Sequence, residues 1–306
     1  AESVLYSNQY VVSAPFGQND LKTCLGHRRL SIIDTSSAGH QPMLTEDKRF
    51  AIILNGEIYN YKKIRTELEA KGETFTTNSD TEVLLKAFRK WNFGCLEKLN
   101  GMFAFAVWDD LEKELTLVRD RAGIKPLYYA RVDSNFIFAS EIKAILATKL
   151  IRAELDQEGL DQFLTFLWTP DPHTTFKNIF KLPPAHYLKW KNGAITETEW
   201  WDLSFDEIDN EKSEEQWKEE LLETLDRVVE MGMVAGGPLG AFLAGGVDSS
   251  SIVALMNSQS NGRKVSTYTV GIEQKDLRYD IIPDDAVWAR RVGELFNTDY
   301  HEFMLK

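Results

Sequence analysis

Residues 240–251 read GAFLAGGVDSSS, and such a segment commits the surrounding chain to a strand, a tight turn and a helix in that order. The apolar run Ala241, Phe242, Leu243 has the composition of a buried strand end. Ala244, Gly245 and Gly246 follow as a small-residue turn. Val247 leads into Asp248, Ser249, Ser250 and Ser251, which open a helix, SSSIVALM. The N–H groups left free at a helix start and the positive end of the helix dipole together favour an anion, and glycines let a phosphate approach the backbone. The segment is not a Walker A loop, since no Gly-Lys-Ser/Thr follows, and it is not a Rossmann GxGxxG. Taken alone it also suits an ordinary glycine turn with an Asp/Ser cap. Its surroundings continue as KVSTYTVGI, DDAVWARRVGELFN and TDYHEFML. That β-α-β-α alternation predicts a parallel sheet with flanking helices. Ligands of such sheets bind at the carboxyl ends of the strands, where the glycine loop and Val270-Gly271 both fall.

The first half is patterned differently. AIILNG (51–56) reads as a strand ending in a turn, YKKIRTELEAKG (61–72) as a helix with a glycine stop, and Ser79-Asp80-Thr81-Glu82 as the start of a second helix. Four strand-like runs follow, at 101–109, 114–120, 127–132 and 135–140, and then a short helix, EIKAIL. This order predicts an α+β layer arrangement. Prolines in 169–193 predict a surface connection with a small hairpin. The acidic stretch 204–216 reads as a linker running into an amphipathic helix, WKEELLETLDRVVEM. The expected division is a first domain over 1–200 and a second over 201–306.

Composition narrows the functional classes. A chain of 306 residues with 43% hydrophobic and 27% charged residues fits a globular protein of two domains. The net charge of −12 argues against general nucleic-acid binding. No apolar run is long enough for a membrane span, and AESVLYSNQY lacks the pattern of a signal peptide. Cys24 and Cys95, the two cysteines of the chain, imply a reducing compartment, and so a cytoplasmic location. Both are expected as buried thiols.

Two constellations resemble known families. The strand-AGGVDSS-helix segment resembles the pyrophosphate loop of the N-type ATP pyrophosphatases, usually written SGGxDS. By that resemblance Leu243, Ala244, Gly245, Gly246, Val247, Asp248, Ser249, Ser250, Val270 and Gly271 bind ATP and its pyrophosphate. Asp248 holds Mg²⁺, and Ala244 stands where the family has a serine. In the first half, GHRRLSIID (26–34), LNGEIYN (54–60), SDTEVLL (79–85) and DRAGIKPLYY (120–129) resemble, with FASEIKAIL and LPPAHYL, the glutaminase domain of class II glutamine amidotransferases. The resemblance implies an αββα four-layer, Ntn-hydrolase-like domain followed by an adenine nucleotide α-hydrolase-like α/β domain. Arg29 then matches the arginine that binds the glutamine carboxylate, a bidentate task suited to a guanidinium. Asn55 and Gly56 match the oxyanion hole. Glu57 and Asp80 match the groups that hold the ligand's amino group. Singly, each has a plainer reading: a surface ion pair for Arg29, a turn for Asn55-Gly56, a helix N-cap for Asp80.

Joined, the two constellations resemble the glutamine-hydrolysing asparagine synthetases, over nearly the whole chain and in the same domain order. The implied activity is ATP-dependent synthesis of asparagine from aspartate, with glutamine as ammonia donor, through an aspartyl-adenylate. Family members are commonly dimers, so a homodimer is a further expectation. The family nucleophile is a cysteine in an N-terminal Cys-Gly-Ile start, its own α-amino group serving as base. Ala1-Glu2-Ser3 stands here instead, APFGQND (14–20) replaces an arginine-glycine-proline loop, Gly236-Gly237-Pro238 replaces an aspartate-valine-proline run, and the serine-glycine-acid segment that adds a second Mg²⁺ carboxylate is not in the chain. No catalytic cysteine is therefore named. The expectation is a chain that covers part of a longer sequence. Two alternatives stay open: a related ATP-dependent amide ligase without glutaminase activity, β-lactam synthetase-like or peptide-cyclising, and a non-catalytic relative that binds nucleotide or glutamine.

Overall fold

The computed structural model describes residues 11–12, 23–205, 211–234, 239–272 and 285–305. The expectations attached to Ala1-Glu2-Ser3, to 14–20 and to Gly236-Gly237-Pro238 lie outside the described residues. The chain divides into two compact units, Ala1–Asp206 and Glu207–Lys306.

In chain order the first unit runs β1 (Val11–Val12), β2 (Leu25–Gly26), β3 (Met43–Leu44), β4 (Phe50–Ile58), α1 (Tyr61–Glu69), α2 (Asp80–Trp91), β5 (Gly101–Asp109) and β6 (Glu114–Arg119). It continues through β7 (Tyr128–Val132), β8 (Asn135–Ala139), α3 (Ile142–Ala147), α4 (Gln157–Phe166), β9 (Phe180–Lys181), β10 (His186–Lys191) and β11 (Ala194–Glu199). An antiparallel sheet of order β11-β10-β6-β5-β4-β3 forms its centre, and a smaller one of order β8-β7-β9 lies over it.

The two-residue period of β5 sorts its side chains onto two cores. Ala104, Ala106 and Trp108 join Leu115, Leu117 and Leu188 in a cluster against Tyr129, Phe136 and Phe138 of the smaller sheet. Phe103, Phe105 and Val107 take the opposite face, where Phe105 meets Phe88 of α2 edge-on at 6.4 Å. Helix α2 is started by Ser79, whose Oγ accepts from Thr81 N, and carries Asp80 and Glu82 in its first turn and Arg89 and Lys90 in its last. Those signs suit the helix dipole at both ends. On the far side of the smaller sheet Ile142, Ile145 and Leu146 of α3 pack on Ala130, Ile137 and Ile179. The unit is therefore layered helix, sheet, sheet, helix.

Three expectations are corrected here. Asn55-Gly56 is not a turn at the end of a strand: β4 runs on to Ile58, and the pair lies opposite Ala104 and Phe103 of β5. The stretch 169–193 holds the start of the expected hairpin, β10-β11, but it is not a surface connection: β10 pairs with β6 inside the large sheet, and Leu182 and Leu188 are completely buried. Cys24 is exposed, whereas Cys95 is buried. The neighbouring Leu25 points inward, so strand alternation turns Cys24 outward. Helix α4 has no counterpart in the sequence reading.

The second unit runs α5 (Glu214–Gly232), β12 (Gly240–Phe242), α6 (Val247–Gln259), β13 (Ser266–Ile272), α7 (Asp285–Leu295) and β14 (Asp299–Leu305). Its strands form a parallel sheet in the order β12-β13-β14. Leu243, Val253 of α6 and Ala289 of α7 build a core with Ala241, Val292 and Tyr300, so both helices cover one face. Phe242, Val270 and Phe303 are exposed. Ser213 and Gln216 cap α5 reciprocally. Among the described residues no helix is long and apolar enough to cross a membrane.

Candidate functional site

The end of β4 and the start of α2 meet at one point. Ile58 N donates to Asp80 Oδ2 at 3.1 Å, which sets the first residue of the helix beside the strand segment Asn55-Gly56-Glu57. Gln41, buried nearby, ties the same two elements: its Oε1 accepts from Leu54 N at 2.6 Å and its Nε2 donates to Thr81 Oγ1 at 3.1 Å. A cavity of about 120 Å³ lies over this junction, and Arg29, Asn55, Gly56, Glu57 and Asp80 all line it, with Lys125. The five first-unit residues singled out in the sequence are thus brought together.

Each is held by a specific local cause. Gly56 has φ +148°, and a Cβ there would stand 2.1 Å from Met102 O. Only glycine lets β4 and β5 approach so closely. Asn55 Nδ2 donates to Ser140 Oγ at 3.0 Å, which orients the amide. Arg29 Nη2 donates to Ile33 O at 2.6 Å and Asp34 O at 2.7 Å, and Nη1 donates to Ser36 O at 3.3 Å. A guanidinium has five hydrogens, so these three bonds leave two, on Nε and Nη1, uncommitted to the loop carbonyls. Among the described residues Arg29 makes no ion pair, the plainer reading of it; its hydrogen-bond partners there are three carbonyls of its own loop.

Electrostatics single out the two carboxylates. Both are nearly buried, Glu57 at 8% and Asp80 at 6% exposure. Burial, and then repulsion from Asp80, raises the Glu57 carboxyl above its ordinary range, against the pull of Lys125. Burial raises Asp80 as well, opposed by the Ile58 and Thr81 amides and by Arg29. His27, on the same cavity, is lowered by burial and by Arg29 and so stays neutral at pH 7. The arrangement suits a small zwitterion whose ammonium faces two carboxylates and whose carboxylate faces a guanidinium.

Sequence reasoning missed Gln41, Ser140 and Asp120. Asp120, 1% exposed, accepts from four backbone amides, those of Phe103, Ala122, Ile124 and Lys125. The signal was present: Asp120 opens DRAGIKPLYY, and an Asp followed at three residues by Gly marks a tight turn.

In the second unit the loop between β12 and α6 has the expected form. Gly245 is left-handed, φ +77°, and a Cβ there would lie 2.5 Å from the backbone of Trp288 on α7. Gly246, the residue before α6, has ordinary backbone angles and open space where a Cβ would be. Ala244 N donates to Ser249 Oγ at 3.3 Å, so a serine hydroxyl supports the turn from within. Ser250 Oγ is buried with no hydrogen-bond partner among the described residues, an unmet polar atom in the first turn of a helix. Asp248 is exposed beside it. Leu243 is buried and its carbonyl accepts from Thr269 Oγ1 at 2.6 Å. Val270 and Gly271 lie toward the carboxyl end of the neighbouring strand β13.

One unit is antiparallel and two-sheeted, with a cavity lined by a guanidinium and two carboxylates; the other is parallel, with a glycine loop at a helix start. The profile described as a glutamine amidotransferase domain matches residues 16–201, and the chain belongs to that family. The profile described as asparagine synthase matches residues 220–306. Asparagine synthetase [glutamine-hydrolyzing] 3 of Bacillus subtilis is 35% identical over 293 residues, 92% of this chain and 47% of that protein. Asparagine synthetase [glutamine-hydrolyzing] 1 of the same organism is 40% identical over 251 residues, 82% of this chain and 39% of that protein. Amidase chry2 of Gibberella zeae is 31% identical over 90% of this chain and 42% of that protein. The chain spans about half the length, or less, of these relatives.

Proposed function

We propose that the protein to which this chain belongs makes asparagine from aspartate, with glutamine as nitrogen donor and ATP as the activating substrate. The observation that carries the reading is the joint placement of Arg29, Asn55, Gly56, Glu57 and Asp80 on one cavity. The 220–306 match and the loop at 244–250 support the ATP half. Glutamine's ammonium lies against Glu57 and Asp80 and its carboxylate against Arg29. Asn55 and Gly56 stabilise the oxyanion that forms when its amide carbonyl is attacked. Cys95 is not the nucleophile: it is fully buried, and burial pushes its thiol up to about 12.

Ammonia released from glutamine arrives unprotonated, whereas free ammonia at neutral pH is mostly ammonium. Aspartate's carboxylate is a poor acylating group until ATP converts it to an acyl-adenylate with loss of pyrophosphate. Ammonia then attacks that carbonyl and AMP leaves. Ser250 Oγ and the open backbone at Gly246 suit the pyrophosphate oxygens. Asp248, exposed at the helix start, would be the residue that holds a Mg²⁺ beside the phosphates. When bound, the ion neutralises charge on the departing pyrophosphate. In domain terms, the glutamine site belongs to a domain over 1–200 with an Ntn-hydrolase-like fold. The nucleotide site belongs to a domain over 201–306 of adenine nucleotide α-hydrolase-like fold.

The test is product analysis with ATP, aspartate and glutamine. Asparagine, glutamate, AMP and pyrophosphate are expected in equal amounts; pyrophosphate without asparagine would sink the reading.

A further inference from the structure

The cavity over β4 and α2 holds a cation that the sequence reading left unused. Lys125 lines it, and among the described residues its ammonium has no ion pair. Its backbone, in contrast, is fixed on both sides. Its N–H donates to Asp120 Oδ2 at 3.0 Å, and its carbonyl accepts from Arg119 Nε at 2.9 Å. The same Asp120 oxygen accepts from Phe103 N at 3.1 Å, and Phe103 is the register partner of Gly56. One buried carboxylate therefore locks the loop that carries Lys125 to the strand beside Glu57. Arg119 adds bonds to Gly123 O at 2.8 Å and Leu182 O at 2.6 Å.

We propose that Lys125 is a positioning residue for ammonium recognition: it holds Glu57 as a carboxylate so that the cavity can receive the ammonium of an α-amino acid. Two nearly buried carboxyls side by side do not both ionise readily. Lys125 supplies the opposing charge without forming a contact pair, so the Glu57 oxygens stay available. The groups that interact with Glu57 or share its cavity are Asp80 from α2, Tyr61 from α1, Tyr59 just after β4, Arg29 and His27 from the segment before β3, and Lys125 from the loop after β6. Of these, Asp80 and the two tyrosines disfavour the carboxylate or leave it unaided, which puts the burden on the cations.

This role rests on the glutamine reading of the cavity, and the experiment separates the two. The Glu57 carboxyl is titrated by carbon-detected NMR in the ligand-free chain, as wild type, Lys125→Gln and Lys125→Arg. Binding of L-glutamine to the same proteins is measured by calorimetry across pH 4 to 8. Lys125→Gln is expected to raise the Glu57 midpoint by roughly half a pH unit or more and to move the acid limb of glutamine binding upward with it. Lys125→Arg is expected to restore both. An unchanged Glu57 midpoint in a folded Lys125→Gln protein overturns the role of Lys125 whatever the binding data. Absence of glutamine binding to the wild type at pH 7 overturns the glutamine reading on which that role stands.

Discussion

Gly56 lies inside β4 at φ +148° with Met102 O where a side chain would start. Gly56→Ala is expected to lose about 3 kcal/mol of stability in urea denaturation, because the strained angle and the clash with a neighbouring strand act together. Glu57 and Asp80 make a second, opposite prediction. Their native carboxyls are raised mainly by burial, so the folded chain binds their protons more tightly than the unfolded chain does. Stability from these groups is fully present below the ordinary carboxylate range and is lost as pH rises through the raised native values. Glutamine binding runs the other way, since it needs the charged forms. Glu57→Gln should therefore raise the melting temperature at pH 7 while weakening glutamine binding about tenfold, read by calorimetric titration. A variant that lost both would contradict the assignment.

At the scale of elements, the loop between β12 and α6 separates protein-internal needs from ligand needs. Gly245 is required by α7, since a Cβ would enter the Trp288 backbone. Among the described residues Ser250 Oγ has no partner to lose. Ser250→Ala is expected to leave stability within about 0.5 kcal/mol and to weaken pyrophosphate binding about fivefold to tenfold, measured by competition with ATP. Unchanged affinity would return the loop to an ordinary glycine turn. The clamp at Asp120 is the counterpart in the first unit. Asp120→Ala strands four backbone amides and is expected to lower stability by about 3–5 kcal/mol in chemical denaturation.

Across the whole molecule the two units have separate cores. The first buries Trp108, Phe103, Phe105 and Leu117 between its layers, whereas the cluster of the second centres on Leu243, Val253 and Ala289. Two calorimetric transitions are expected, the second unit melting first, because less apolar burial supports it. The cysteines report on the first unit. Cys24 is exposed and Cys95 fully buried, so a thiol reagent should label one group in the native chain and both once the first unit unfolds. Labelling of both in the native chain would contradict the packing around Cys95.

Helix and strand positions were legible wherever one period dominated. The expected strand at 101–109 is β5, and a helix starts at Ser79-Asp80-Thr81-Glu82 as read, although Ser79 rather than Asp80 caps it. The reading failed where tertiary pairing overrode local signals. Asn-Gly is a favoured turn by propensity, yet the partner strand β5 keeps it extended. The proline-rich 169–193 stretch looked peripheral, yet β10 enters the large sheet. Cys24 sits in an apolar run, but exposure depends on which way a strand faces, and composition does not set that.

By itself the sequence determined the residue types of the candidate cavity and of the glycine loop, and their order along the chain, because charge, glycine freedom and hydrophobic period are local properties. Only the tertiary structure decided that Arg29 gives three hydrogen bonds to its own loop, that Asp120 joins Lys125 to the strand beside Glu57, and that Glu57 and Asp80 share one nearly buried place. Burial, dielectric and the direction of a side chain arise from what packs around a residue, and those neighbours come from distant parts of the chain.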